Sequence, residues 1–105
     1  MNIDMQKVRR ESLRWLLLLA LNNSRPIAAH ESLLLQIART IYTDATDVEL
    51  RRELDYLEGR KMVSITRHPA GFWTTEPTAL GTDIAEYTVE CHAGIARPEK
   101  YWAGA

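Results

Sequence analysis

A chain of 105 residues has the size of one domain and can bury roughly two-thirds of the surface that its unfolded form exposes. Its 46% hydrophobic and 26% charged residues exclude the low-hydrophobicity, high-charge composition of disordered chains. Thirteen Lys and Arg stand against fourteen Asp and Glu, for a formal net charge of -1, so attraction to a polyanion must come from local clusters and not from the whole molecule.

The first predicted helix runs from Met5 to Asn22 without Pro or Gly. It starts basic, with Lys7, Arg9, Arg10 and Arg14, and then turns apolar on every side from Trp15 to Leu21. That seven-residue run is far short of the about 20 residues of a membrane span. A helix apolar all round must be covered all round, which predicts either the central core helix or a homodimer through Trp15, Leu16, Leu18 and Leu19. The turn formers Asn22-Asn23-Ser24-Arg25-Pro26 end it and lead into a short extended piece, Pro26-Ile27-Ala28.

A second helix is predicted over about Ala29 to Ile41, with Leu34, Ile37, Ala38 and Ile41 on one buried face. After the connection Tyr42-Thr43-Asp44-Ala45, the run Thr46-Asp47-Val48-Glu49 fits a capping box and opens a third helix. Its inward stripe is Leu50, Leu54 and Leu57, and Gly59 is placed to supply a left-handed stop. From Lys61 the period falls from 3.6 to about 2: Met62 to Thr66 alternates, His68-Pro69-Ala70-Gly71 reads as a turn, and Phe72 to Thr75 returns as a second strand. Helical spacing resumes at Thr78, with Leu80, Ile84 and Tyr87 on one side, and is expected to continue to about Cys91. Residues 1–92 form the expected domain and 93–105 an irregular tail.

This order of helix, extended piece, helix, helix, hairpin and helix resembles the winged helix-turn-helix superfamily, in particular its MarR, ArsR and PadR-like forms. The resemblance covers about residues 5–90. It rests on Leu50-x3-Leu54-x2-Leu57 running into Glu58-Gly59-Arg60-Lys61-Met62-Val63, on the hairpin through Phe72-Trp73, and on Thr78-Ala79-Leu80-Gly81 opening the last helix. The tail Gly94-Ile95-Ala96-Arg97-Pro98 is further similar to small winged-helix proteins of Mu-like phages and prophages. The resemblance implies a mainly α fold with a small β-hairpin, and double-stranded DNA as partner in a transcriptional regulator. That functional step rests on fold alone.

Charge tests it residue by residue. Opposite the leucine stripe, the third helix presents Val48, Arg52 and Asp55, with Arg51 beside them, and the two arginines are candidates for guanine edges or phosphates. The same helix carries Asp47, Glu49, Glu53, Asp55 and Glu58, which is poor chemistry for approaching a polyanion. The hairpin leans the other way: Arg60, Lys61, Arg67 and His68 lie on or beside it with no acid before Glu76. Such a strip suits phosphates or a minor groove, or it is the charged edge that keeps a strand soluble. Two readings therefore stand: a DNA-binding dimer whose contacts are Arg51, Arg52, Arg60, Lys61, Arg67 and His68, or a protein-interaction module on the same scaffold.

Catalysis finds little support. Cys91 is the one cysteine, so no intramolecular disulfide forms and no zinc-like cysteine spacing exists. His30, His68 and His92 are scattered; Ser32 is expected to face away from His30, since neighbours on a helix point in different directions. No glycine-rich phosphate loop is present. The expectations are no enzyme, no cofactor, no metal, no membrane contact and, without a signal peptide, a cytoplasmic location.

Overall fold

The computed structural model describes residues 3–100. Helix α1, Met5–Ser24, is capped by Asp4, whose carboxylate accepts from the Lys7 amide at 3.1 Å. It is the central element: Leu13, Leu17, Leu18 and Leu21 are fully buried, and it packs against the other three helices and the last strand. Leu18, expected at a dimer interface, belongs instead to the protomer's own core.

The second helix is shorter than its periodicity suggests. Ala29–His30 form a strand, β1, because their backbone pairs with a strand far along the chain; α2 then spans Glu31–Arg39. Leu34 and Ala38 are buried as expected, whereas Ile41 lies beyond the helix and is 60% exposed. Helix α3, Asp47–Gly59, begins as expected at Thr46, whose hydroxyl accepts from the Glu49 amide at 3.2 Å. Only that half of the capping box forms, since the Glu49 carboxylate is drawn to Arg9 on α1. Gly59 does not take the left-handed conformation. That role falls to Lys61, φ 63°, two residues later.

Strands β2 (Val63–Arg67) and β3 (Trp73–Pro77) form the hairpin, with Ile65 opposite Thr75. The tip closes as expected, with the Gly71 amide donating to the His68 carbonyl and the His68 amide to that of Phe72. Because β1 pairs with the free edge of β3, the sheet has three antiparallel strands in the order β1-β3-β2. Helix α4, Ala79–Ala85, is capped by Thr78 and ends well before Cys91, where Tyr87 turns left-handed at φ 64°. Gly81 is required there, since a Cβ would overlap the Met62 carbonyl oxygen.

Residues 94–98 have no regular structure yet are held at nearly every position. Ile95 is buried, the Ala96 amide donates to the Glu11 carbonyl, and Arg97 donates to the carbonyls of Ile84 and Val89 while lying 4.4 Å from the Tyr87 ring centre. The remainder of the expected tail, 101–105, lies outside the described residues. Four helices and a small antiparallel sheet make a compact α+β fold compatible with a winged helix-turn-helix.

Candidate functional site

The α3 surface and the hairpin bring most of the expected contact residues together, but chiefly onto one another. Arg51 donates from Nε and Nη2 to both oxygens of Glu31 at 2.7 and 2.6 Å, and from Nη2 to the Gly71 carbonyl at 2.6 Å. Glu31 also accepts from the Trp73 amide at 3.1 Å, so one carboxylate in the first turn of α2 ties α3 to the returning strand. The Arg51 guanidinium, and then the Trp73 N–H, hold the Glu31 carboxyl below the usual carboxylate range against the opposing effect of burial. Arg51 thus joins three elements, and its donors are directed inward.

Arg67 is the centre of the hairpin's expected positive strip. Its guanidinium meets Asp55 at 2.8 Å and Glu58 at 3.0 and 3.1 Å, and lies 4.5 Å from the centre of the Trp73 ring. The hydrogen bond from Arg67 lowers the Glu58 carboxyl. The hairpin has no acid of its own before Glu76, but α3 supplies two across space. His68 bonds through Nε2 to the Thr74 hydroxyl at 2.8 Å and stacks on Phe72 at 4.3 Å. Arg60 donates to the Ala93 carbonyl at 3.1 Å. Of the six expected contact residues, Arg52 and Lys61 are exposed, and their side chains have no hydrogen-bond, ion-pair or ring partner among the described residues.

Two of the four basic residues at the start of α1, Arg9 and Arg14, are consumed in the same way. Arg9 grips Glu49 with two bonds of 2.7 Å and Asp44 with one of 2.9 Å, which lowers the Asp44 carboxyl. Arg14 donates to Glu53 at 2.7 Å and to the Gly94 carbonyl at 2.9 Å, with its guanidinium 3.5 Å from the Tyr56 ring centre. Glu49, Glu53, Asp55 and Glu58 therefore each engage an arginine from another element, and the acidity of α3 is largely neutralised inside the molecule.

Two open grooves flank α3. One, about 530 Å3, runs between the starts of α1 and α3 and is lined in part by Met5, Tyr42, Val48 and Arg52. The other, about 480 Å3, lies between α3 and the hairpin, bounded by Val48, Arg51, Arg52, Asp55 and Trp73. Trp73 at this groove was not expected as a site residue; its period-two position signals only that it alternates in a strand. Of the proposed dimer residues, Trp15, Leu16 and Leu19 are half-buried, and Trp15 packs edge-on against Tyr87 at 5.9 Å.

Ser32 does meet His30, contrary to the helical expectation. His30 is the N-cap of α2, so its Nδ1 accepts from the Ser32 amide at 3.0 Å with the Ser32 hydroxyl at 2.9 Å. Burial pushes the Cys91 thiol up. Among the described residues, no group of His, Cys, Asp and Glu has the arrangement to hold a metal ion, and no helix is long and apolar enough to cross a membrane. Comparison with known proteins finds no match among family models, curated proteins or solved structures.

Proposed function

We propose that the chain is a non-catalytic winged helix-turn-helix module that docks a protein partner through the face formed by α3 and the hairpin. One observation carries this reading: two of the four arginines that would approach phosphates are paired with carboxylates, Arg51 with Glu31 and Arg67 with Asp55 and Glu58. Exposed pairs are weak, about 0–1 kcal/mol, and an arginine can leave its acid. The acid stays behind, however, and would then face the phosphate, so recruiting these arginines brings repulsion along with attraction. A protein surface of mixed charge has no such conflict.

DNA binding is the competing reading, and the unpartnered Arg52 and Lys61 are what favours it. Fluorescence anisotropy with a mixed-sequence duplex across a salt series separates the two. The docking reading expects no binding tighter than about 10 μM at low salt; binding tighter than that, falling steeply with salt, supports DNA binding instead.

Self-association belongs to the same proposal, through a seam that shares only Trp15 and Leu19 with the apolar run. Met5, Val8, Ser12, Trp15 and Leu19 recur at the alternating three- and four-residue spacing of a coiled-coil seam. Met5 is 66% and Val8 47% exposed, so the outer half of this stripe has no cover within the protomer. Light scattering of the native chain against Val8→Glu checks it: the native chain is dimeric and the variant monomeric.

A further inference from the structure

Resting on that docking reading, we infer that the groove between α3 and the hairpin receives a partner segment carrying an apolar side chain beside a carboxylate. Its walls supply apolar contact from Val48, which is 67% exposed, and from the half-buried Trp73. Three charged side chains line it, and two are already matched: Arg51 by Glu31 at 2.6 Å and Asp55 by Arg67 at 2.8 Å. Arg52 has no partner among the described residues. The groove therefore presents one open positive charge next to apolar surface.

A carboxylate is the complement of that charge. Guanidinium and carboxylate form two parallel charge-assisted hydrogen bonds, stronger than neutral ones and stronger still where apolar walls exclude water. A duplex complements the groove less well. Its phosphates follow one another at one charge per about 1.7 Å of axis, and those next to the one on Arg52 would run along a helix that also carries the exposed Asp47. A single carboxylate meets Arg52 alone. The apolar neighbour makes the groove selective for a protein segment over a free anion, because an aliphatic side chain seated against Val48 and Trp73 leaves water as the carboxylate pairs.

The test titrates isotope-labelled protein, followed by amide and indole NMR signals, with three probes: the capped peptide Leu-Glu-Leu-Leu-Glu, its counterpart with both Glu replaced by Lys, and a mixed-sequence duplex. The Glu peptide is expected to shift the Val48 and Arg52 amides and the Trp73 indole, and to bind at least about tenfold more tightly than the Lys peptide, a difference of about 1.4 kcal/mol. In Arg52→Glu, whose substitution breaks no internal contact, the preference reverses. Equal binding of the two peptides, or shifts mapping elsewhere, would overturn the inference; if the duplex is also silent, docking itself still stands. Shifts of the groove signals by the duplex would overturn both.

Discussion

Helix α3 is held by arginines on two sides, and the two sides differ in depth. Toward α1, Arg14 and Glu53 pair inside the protein, with Glu53 only 1% exposed. Toward the hairpin, Arg67 reaches Asp55 and Glu58 on the open surface. Contact lengths are nearly equal, at 2.7 Å for the first and 2.8 and 3.0 Å for the second. Distance therefore does not rank them. The buried pair has given up its water, so losing one partner strands a charge; the exposed pair exchanges one solvated arrangement for another.

The largest effect is expected where the charge is stranded. Glu53→Ala leaves the Arg14 guanidinium with the Gly94 carbonyl and the Tyr56 ring as its remaining partners, and should cost about 3–5 kcal/mol in urea unfolding, as breaking one side of a buried ion pair generally does. Replacing both partners, Arg14→Met with Glu53→Leu, should recover most of that loss. If Glu53→Ala falls within 1 kcal/mol of the native chain, the distinction drawn from depth fails.

How far these features were legible in the sequence follows from the same contrast. Thr46 as a cap, the inward leucines of α3 and the turn at His68 to Gly71 are local, so spacing alone places them. The pairs Arg14 to Glu53 and Arg67 to Glu58 join residues distant in sequence or in different elements. Along the chain each looks like one more charge on a basic or acidic stretch. This is why the hairpin read as a free positive strip: its acids are on α3. Strand β1 was missed for a similar reason, because two residues carry no period and become a strand only by pairing with Thr74 and Thr75. The tail at 94–98 read as irregular, which it is; that it is anchored to α1 and α4 is tertiary information.

The intermediate case is Glu31, partly covered and bonded to both Arg51 and the Trp73 amide. Glu31→Gln keeps the shape but loses the charge, and should cost about 1–3 kcal/mol, the range for hydrogen bonds to a charged group. Its effect is tied to pH. The native carboxyl lies below the ordinary range, chiefly because of Arg51, so the unfolded chain takes up the proton first as pH falls. The stabilisation is thus fully present above the ordinary carboxylate range and is lost as pH drops through the lower native value. Unfolding free energies from neutral pH downward should converge for the native chain and Glu31→Gln at the acid end; a gap that persists there would mean that packing, not charge, makes the contact.

The smallest effect belongs to the exposed pair. Arg67→Ala removes contacts to Asp55, Glu58 and the face of Trp73, and still should cost only about 0–1 kcal/mol, since solvent screens the charges and the long side chain regains its freedom. The substitution also tests the functional proposal, because it frees two carboxylates beside the α3 groove. A duplex should be repelled more strongly than by the native chain, and a Lys-bearing peptide should bind better. If Arg67→Ala instead destabilises as much as Glu53→Ala, the hairpin arginine is a structural tie, and the α3 face is less open to a partner than its exposure indicates.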